Sequence, residues 1–477
     1  MKKVIFIILI LASLKVTAQN NSIYIPEASS DSAIAKLSKQ LDSLHLKVRD
    51  IIVTGNFTTK EYIVVRELEL QKGTEFTAKK YFNSLSNLLN LNLFSKVTIT
   101  PVPVADNGVT LNIEVEERPY FVPVPGGGVE EGEYFKKLYA ALTLRFDNIR
   151  GRNETLILFT RFFYNPEIRL TFRDPWFAGK SHLFTLFNTG WKKHRNQSIR
   201  ALGIANGQNT IKYEVPNFTN YITNIDIIFG KYFGRYFSIF ADAGYNHLRV
   251  SEYAPGRTFN SSGIDKFLNL GIGAGYDSRD YKYFASKGWY LHTTFTRFGI
   301  IDKLINYGRF DFESQTFIPI SFSKDYYITI ASRLFTSLSV GAIIPVYDHQ
   351  FLGYSDNYVR GWSGKAYEGD DELTAFNEIR IPIYKPRYTK GSKIFFIQDV
   401  PVLRNMNLLN GLFATIIYDI GTTFDHTDRI SKQRFLSGAG IGLDAVLPFG
   451  LVGRADWVFR LGHPIVGQVG FSLSAKF

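Results

Sequence analysis

The sequence predicts an all-β transmembrane barrel of about 16 antiparallel strands, preceded by one small α+β domain. From residue 119 to the C-terminus, apolar and polar residues alternate over stretches of about ten residues, the length that a tilted membrane-spanning strand requires. The polar side of these stretches carries many charges, as expected for a wall that faces a wet lumen. Aromatic residues make up 15% of the 477 residues and glycines number 39, which favours strands joined by tight turns.

The composition excludes several kinds of protein and site. The chain contains no cysteine, so it has no disulfides, thiolate metal sites or lipid-modified N-terminal cysteine. Its formal net charge is +12, but the lysines and arginines are dispersed rather than clustered, and nucleic-acid binding is therefore not predicted. The 8 histidines are scattered without ligand spacing, so we expect no metal and no cofactor.

The N-terminal segment, residues 1–18, has the pattern of a secretory signal peptide. Two lysines form its basic start, an apolar run comes next, and small residues at 16–18 form the cleavage site. A transmembrane anchor is the alternative, but the apolar run is shorter than the roughly 20 residues that a spanning helix needs. Residues 19–46 are predicted as a linker, with the pattern of a short amphipathic helix over 31–46.

The next segment, residues 47–118, has the pattern of a small α+β domain with the element order β-α-α-β-β. Its first helix is predicted to begin with a capping box formed by Thr58 and Glu61, and to continue to about residue 70. Several short features, together with this order, resemble a POTRA domain: Gly55-Asn56, Gly73, Leu91-Asn92-Leu93-Phe94, Val97 and Val115-Glu116-Glu117. The resemblance implies a periplasmic domain that offers strand edges to unfolded clients. The alternative is a spacer that only orients the C-terminal part of the chain.

The barrel is expected to span residues 119–477, with an even number of strands, as a bacterial barrel requires. A soluble sandwich would also alternate, but the strand length and the charged polar side argue against it. The alternation is weakest over residues 196–217. Residues 384–410 form a long connection that the pattern does not explain.

A polar loop leads into one of these strands and contains the most distinctive motif of the chain. Val359, Arg360, Gly361 and Trp362 place a permanently charged guanidinium between apolar neighbours. With 16 strands and the N-terminal domain in the periplasm, residues 338–372 form the longest loop on the outer side. Along the strands C-terminal to this loop, alternation directs four carboxylates into the lumen: Asp419, Asp456, Glu378 and Asp444.

Short motifs in a fixed order carry a resemblance to a known family. They are Phe351-Leu352-Gly353, Val359-Arg360-Gly361-Trp362, Asn377-Glu378-Ile379-Arg380-Ile381-Pro382, Asp174-Pro175-Trp176-Phe177, Asp419-Ile420-Gly421, the glycines 438, 440 and 442, Pro448-Phe449-Gly450 and the terminal Phe477. From about residue 47 onward, the chain resembles the BamA/TamA family of outer-membrane assembly and secretion barrels. It departs from that family in having Trp362 where Phe or Tyr is usual, and in having one POTRA domain where the housekeeping assembly factors have several.

The resemblance implies that the long loop folds back into the lumen, where Arg360 meets an acid on the inner wall. Arginine suits such a site because its guanidinium can hold a carboxylate with two hydrogen bonds. We predict Asp419 as the partner, followed by Asp456. The alternative is that this pair only braces the barrel, because loop order and activity are hard to separate when an ion pair has lost solvent.

The first strand, predicted over residues 119–128, has an unusual composition. It contains Pro123, Pro125 and three consecutive glycines, Gly126, Gly127 and Gly128. Proline lacks a backbone donor and glycine weakens pairing, so closure of this strand on residues 467–477 is predicted to leave a weak seam. We interpret the seam as a lateral gate that passes or templates client strands. The alternative is that residues 119–125 are linker and the first strand starts later. Phe477 fits the terminal aromatic by which such barrels are themselves recognised; its alternative is an ordinary lipid-facing aromatic.

The resemblance implies a non-enzymatic protein that inserts outer-membrane proteins or moves a polypeptide across the outer membrane. Its implied partners are unfolded outer-membrane or secreted proteins and outer-membrane lipid; the sequence leaves open whether accessory lipoproteins bind. A passive porin or transporter is the alternative, because barrel wall and charged lumen fit it equally well. The POTRA-like domain and the arginine loop do not fit a porin. An enzyme is not predicted, because the chain has no G-x-S-x-G motif and no arrangement of a nucleophile with a base.

Overall fold

The computed structural model describes the N-terminal domain, sixteen strands of the barrel and most of the connections between them. The described residues are 40, 42, 44–129, 137–177, 181–198, 217–300, 304–323, 326–341, 343–352, 359–362, 367–394, 397–428, 430, 433–461 and 467–473. The expected signal peptide over residues 1–18, most of the linker at 19–46, and Phe477 lie outside them.

The N-terminal domain has the predicted order of two helices and three strands. Its elements are β1 (Lys47–Thr54), α1 (Glu61–Val65), α2 (Ala78–Asn90), β2 (Phe94–Val104) and β3 (Gly108–Glu117). The sheet order is β1-β3-β2, with β1 parallel and β2 antiparallel to the central β3. Apolar side chains of α2 and β3, such as Leu85 and Leu111, are fully buried between helices and sheet. The helix α2 begins after Thr77, whose side chain accepts a hydrogen bond from the Lys80 backbone, as expected of an N-cap.

The capping box predicted for the first helix is wrong. The helix α1 begins after Lys60 and ends at Val65, well before residue 70. The backbone N–H groups of Thr58 and Thr59 are instead bound by the carboxylate of Glu117, at 3.0 and 2.6 Å. Glu117 thus binds the Thr58 N–H that Glu61 would have bound in a capping box, and it binds the N–H of Thr59 as well.

Sixteen antiparallel strands form one sheet, which confirms the predicted fold class. The strands are β4 (Phe121–Val129), β5 (Leu138–Ile149), β6 (Glu154–Phe163), β7 (Glu167–Asp174), β8 (Leu183–Arg195), β9 (Thr219–Phe233), β10 (Phe237–Val250), β11 (Ile264–Asp277), β12 (Gly288–Phe298), β13 (Tyr307–Ser321), β14 (Tyr327–Gly341), β17 (Asp371–Lys390), β18 (Asn407–Phe424), β19 (Leu436–Leu447), β20 (Leu451–Arg460) and β21 (Gly467–Leu473), with a small hairpin of β15 (Gln350–Leu352) and β16 (Tyr367–Gly369) between β14 and β17. Each long strand pairs with its neighbours in sequence, and β14 pairs with β17. Among the described residues, no helix is long and apolar enough to cross a membrane.

Two strands are longer than the sequence pattern predicts, and this accounts for much of the connection at 384–410. β17 has 20 residues and β18 has 18, and they remain paired from Asp371 and Phe424 to Lys390 and Asn407. The pairing register shifts between Pro382 and Arg387, where the strand is irregular. Only a 3-10 turn at Gly391–Lys393 and the short helix α3 (Pro401–Arg404) then separate the two strands within the described part of the connection.

The first strand of the barrel is short, and the last strand is described only in part. β4 has 9 residues and includes Pro123, Pro125 and Gly126–Gly128, so the strand begins before the prolines rather than after them. The described part of β21 has 7 residues. These two strands end the sheet order, and no backbone pairing joins them within the described residues, which stop at Leu473.

The N-terminal domain rests on the short turns at one end of the barrel, which we call the turn side. The backbone N–H of Lys60 donates to Gly151 between β5 and β6 at 2.9 Å, and the Arg66 guanidinium lies 4.3 Å above the Trp176 ring between β7 and β8. Farther round, Ser86 donates to the Asp280 carbonyl at 2.9 Å.

The joint between domain and barrel contains only Arg118, Pro119 and Tyr120. Arg118 is buried there and donates to the carboxylate of Asp147 on β5 at 2.5 Å. Close by, burial alone would raise the pKa of Glu117, but the hydrogen bonds from Thr59 and its neighbours hold that pKa below its usual value.

Candidate functional site in the barrel lumen

The motif 359–362 lies inside the barrel, against the inner faces of strands C-terminal to it. Val359 and Trp362 are buried with Leu352 of β15 and Leu436 of β19 in one apolar cluster. The indole N–H of Trp362 donates to the Ser437 carbonyl at 2.9 Å, so its polar atom is satisfied. Two buried apolar anchors thus flank Arg360 and fix where its side chain points.

Arg360 binds the carboxylate of Asp419 on β18 with two parallel hydrogen bonds. Its Nε lies 2.6 Å from Oδ2 and its Nη2 lies 2.8 Å from Oδ1. The backbone N–H of Arg360 also donates to Asp419 Oδ2, at 3.2 Å. Asp419 is completely buried on a strand whose opposite face, at Ile416 and Tyr418, is exposed. Alternation along β18 therefore aims the acid inward and the apolar side chains toward lipid.

Glu378 on β17 is a second partner of Arg360 and the centre of a larger charge network. Its carboxylate accepts hydrogen bonds from Arg360 at 2.7 Å and from Arg380 at 2.9 Å, and Arg454 lies 2.9 Å away. Arg454 also donates to Asp444 at 2.8 Å. All of these groups project from the loop and from β17, β19 and β20 onto the lumenal face, where they share one desolvated volume.

Asp456 on β20 lies at the edge of this network. Its nearer oxygen is 3.8 Å from Arg360 Nη1, which is an ion pair but longer than a hydrogen bond. Its other oxygen, Oδ1, is buried without a hydrogen-bond partner. The four acids of the network face three arginines, so removing any one arginine would leave buried carboxylates without a counter-charge. Breaking a buried ion pair in this way costs about 3–5 kcal/mol.

Glycines allow the loop to approach the wall this closely. A Cβ on Gly438 of β19 would lie 2.0 Å from the backbone oxygen of Arg360, a distance that no real contact allows. Gly361 has φ +89°, in the left-handed region that favours glycine. The Arg460 Nε of β20 donates to the Gly361 carbonyl at 2.5 Å and secures the turn.

The structure brings together all of the loop and acid residues that the sequence analysis selected. Asp419 is in direct contact with Arg360, and Glu378, ranked behind Asp456, is closer to Arg360 than Asp456 is. Asp444 contacts the network through Arg454 rather than through Arg360. The seam residues Pro123, Pro125, Gly126, Gly127 and Gly128 lie on β4, which contributes no residue to this network, and Phe477 is outside the described residues.

Sequence reasoning missed two arginines and one glycine of the site. Arg380 lies two residues after Glu378 on the same strand face, and Arg454 lies two residues before Asp456, so the alternation contained a signal for both. Gly438 belongs to a recognisable glycine pattern, but nothing in that pattern connects it with Arg360. Within the described residues, no group of three or more histidines, aspartates or glutamates is arranged to hold a metal ion.

Comparison with known proteins places this geometry in a family. Residues 148–469 match the Omp85 superfamily domain, and residues 46–118 match the POTRA family described as surface antigen variable number repeat. A protein of Treponema pallidum (strain Nichols), named as a putative outer membrane protein assembly factor, is 28% identical over 139 residues. That match covers 28% of this chain and spans only 16% of the relative's length.

Solved structures share the fold at low sequence identity. BamA from Haemophilus ducreyi lacking POTRA domains 1-3 has a TM-score of 0.53 and 16% identity, covering 90% of this chain and 84% of that one. CdiB from Escherichia coli has a TM-score of 0.57 and 11% identity, covering 90% and 76%. The superfamily match extends over most of the barrel and, with the POTRA match, accounts for both domains. The chain belongs to the Omp85 superfamily.

Proposed function

We propose that this protein is an outer-membrane barrel that inserts outer-membrane proteins or moves a polypeptide across the outer membrane, without catalysis. The observation that carries the proposal is the lumenal motif at 359–362, held by Arg360 on Asp419 and Glu378. A passive pore has no need for a buried, permanently charged loop anchor. An assembly or transport barrel does, because its lumen must be held in a defined state and still be able to change.

The N-terminal domain is proposed to lie in the periplasm and to receive the client. Its sheet order β1-β3-β2 leaves the outer edge of β2 without a strand partner in the described domain, whereas the start of β1 is bonded on its outer edge by residues 73–76. Val102 and Val104 on β2 are 38% and 41% exposed, which adds apolar surface beside that edge. An extended polypeptide could pair with such an edge through its backbone, which makes recognition tolerant of sequence.

The loop is proposed to act as a lumenal latch. While Arg360 binds Asp419 and Glu378, the motif fills space next to β17, β18 and β19 and joins these strands on the inside. Releasing it would expose three carboxylates, including Asp456, to water or to a client. A buried arginine network of this kind has two defined arrangements, loop bound and loop free, rather than a continuous range.

The seam between β4 and β21 is proposed as the lateral gate. Pro123 and Pro125 remove backbone donors from β4, and the run Gly126–Gly128 weakens its pairing. Unpaired backbone groups are costly in lipid, so a client strand that pairs with the open edge would be stabilised. The proposed partners are therefore unfolded outer-membrane or secreted proteins and the surrounding lipid, with accessory lipoproteins as a further class.

Depletion of the protein, followed by quantitative proteomics of purified outer membrane, tests the proposal. Broad loss of other barrels is expected for an assembly factor, and loss of one or a few surface or secreted proteins for a dedicated exporter. Unchanged levels of every other outer-membrane and secreted protein would contradict the proposal and favour a porin. A large, steady conductance of the purified barrel without a client would likewise favour a porin.

A further inference from the structure

The turn between β1 and α1 carries the most exposed large apolar side chain of the described chain. Phe57 is 95% exposed, and Tyr62, at the start of α1, is 50% exposed. The apolar core of the same domain is otherwise closed over Leu70, Phe76 and other fully buried side chains. Phe57 is therefore an exposed aromatic side chain on an ordered turn of the domain. Such a side chain indicates a surface that binds a partner outside the domain.

This turn is fixed to the rim of the barrel by several hydrogen bonds. The Lys60 N–H donates to the Gly151 carbonyl at 2.9 Å, and the Asn148 side chain donates to Thr59 Oγ1 at 2.9 Å. A Cβ on Gly151 would lie 2.0 Å from the Thr58 carbonyl oxygen, so the two backbones are in direct contact. Phe57 is therefore held beside the β5–β6 turn and cannot move far from the barrel wall.

The barrel wall next to this turn carries an aromatic band that faces lipid. Phe121 at the start of β4 and Phe146 near the end of β5 are 50% and 39% exposed, and their ring centres are 4.9 Å apart. Phe177, between β7 and β8, is 38% exposed and lies 6.1 Å from the lipid-facing ring of Phe229. Such bands mark the level at which hydrocarbon gives way to headgroups.

The helix α1 extends the same surface along the rim. Arg66 stacks on Trp176 of the β7–β8 turn at 4.3 Å, and Tyr62 lies one helical turn earlier on the same face. Basic side chains accompany the aromatics: Lys60 is exposed, and the Arg150 side chain is 63% exposed while its guanidinium donates to the buried carboxylate of Glu154. Aromatic rings interspersed with cations form the composition that binds a phospholipid headgroup layer.

We propose that Phe57 and Tyr62, with Lys60 and Arg150, form a membrane anchor that holds the N-terminal domain against the phospholipid leaflet on the turn side of the barrel. The occupant is the membrane that the barrel already spans, because the hydrogen bonds at Thr59 and Lys60 place the patch next to the lipid-facing aromatic band. The anchor would set the tilt of the N-terminal domain and so the position of its strand edges. This proposal does not depend on the protein's client or on the direction of transport.

The absence of cysteine from the sequence allows a direct test with a single spin label. Full-length Phe57→Cys protein is labelled with a nitroxide and reconstituted into vesicles of phosphatidylethanolamine and phosphatidylglycerol. Collision of the label with oxygen, which partitions into lipid, is compared with collision with a water-soluble nickel chelate. Because Phe57 is nearly fully exposed, its replacement leaves the core of the domain intact, and resistance of the barrel to unfolding in detergent verifies the fold.

The matched control is Ala105→Cys, in the exposed turn between β2 and β3. This turn lies at the opposite end of a ten-residue strand, roughly 30 Å from the rim. We expect oxygen to exceed the nickel chelate in its effect on the label at 57, and the reverse at 105. Equal behaviour of the two labels would overturn the proposal. So would protection of residue 57 that develops only when unfolded polypeptide is added, since the patch would then bind protein rather than lipid.

Discussion

Two parts of the barrel wall differ sharply in how firmly they are held. The wall formed by β17, β18, β19 and β20 contains the longest strands and is joined across the lumen by the arginine network around Glu378. The seam between β4 and β21 consists of 9 residues on one side and 7 described residues on the other. The seam strand β4 also contains two prolines and three glycines.

From this difference we infer that the wall formed by β17, β18, β19 and β20 is more stable than the part of the sheet at β4 and β21. A long ladder of backbone hydrogen bonds, reinforced by buried charges, forms the wall that holds the motif at 359–362. Within the described residues, no backbone pairing and no charge network joins β4 to β21. The proposed gate between β4 and β21 depends on this asymmetry, because the elements of a protein that move are drawn from its less stable part.

The largest expected effect is that of removing the loop cation. Arg360→Ala leaves Asp419 and Glu378 buried with less counter-charge, at a cost of about 3–5 kcal/mol. We expect the barrel to stay folded while the loop becomes accessible to protease added from outside, with weakened activity. The measurement is cleavage in intact cells within the loop between Gly341 and Asp371.

The matched control is Arg249→Ala, which removes an exposed arginine of β10 that contacts only a ring in the described contacts. Its cleavage pattern should equal that of the unchanged protein. Full protease resistance and full activity of Arg360→Ala would contradict the latch.

A smaller effect is expected from neutralising the acids one at a time. Asp419→Asn removes the charge from a two-bond contact, and hydrogen bonds to charged groups contribute about 1.5–3 kcal/mol. Asp456→Asn should have less effect on the loop, because its nearest oxygen is 3.8 Å from Arg360. Thermal unfolding and loop cleavage of the two variants are compared side by side; a larger loop release for Asp456→Asn would reverse the ranking.

The next largest effect is expected from displacing the loop sterically. Gly438→Ala places a methyl group where the Arg360 carbonyl now lies and should displace the motif without changing any charge, at about 1–3 kcal/mol. Gly470→Ala on β21 is the matched control, because a Cβ there meets no heavy atom within 4 Å. Increased cleavage is expected for the first variant alone; equal cleavage in both would show that the close approach is unimportant.

The difference in stability between these two parts of the barrel can be measured by backbone hydrogen exchange in a lipid nanodisc. We expect the amides of β4 and β21 to exchange at least about tenfold faster than those of β17 and β18, which corresponds to about 1.4 kcal/mol of opening free energy. Arg360→Ala should speed amide exchange in β18 and so reduce the difference in exchange rate between β18 and the seam strands. Equal exchange rates for the two pairs of strands in the unchanged protein would contradict the inferred difference in stability.

The smallest effect concerns pH on the outer side. His426, just after β18, shares a hydrogen bond between its Nδ1 and the carboxylate of Asp370 at 2.6 Å. Burial alone would lower the pKa of His426, but the hydrogen bond and charge of Asp370 raise that pKa above its ordinary value. The contribution of this pair to stability is therefore present below about pH 6.5 and is lost as pH rises through the raised pKa.

Loop cleavage should therefore increase, by at most about fivefold, between pH 6 and pH 8.5, since a partly exposed pair contributes about 0.2–1 kcal/mol. His426→Gln should remove this pH dependence and cleave at one rate throughout. A pH response that survives in His426→Gln would assign it to another group.

The sequence was sufficient for the barrel because strand alternation depends only on which face meets lipid. The same alternation directs the side chains of Asp419 and Glu378 inward, but it does not give their distances from Arg360. Glu378 could not be ranked as a direct partner because the loop path is set by Val359 and Trp362, whose burial site involves the distant Leu436. The long connection at 384–410 could not be predicted as paired strand because Pro382, Pro386 and nearby charges interrupt the alternation while the backbone pairing continues.

The joint at Arg118–Tyr120 has a mechanical consequence. Three extended residues span at most about 10 Å, so the joint cannot absorb a displacement of the domain. A displacement of the domain therefore reaches Phe121, the first residue of β4, through the chain itself, in addition to the hydrogen bond that joins Lys60 to Gly151 of the β5–β6 turn. The tilt of the N-terminal domain and the position of β4 are thus mechanically coupled, so that a change in one requires a change in the other.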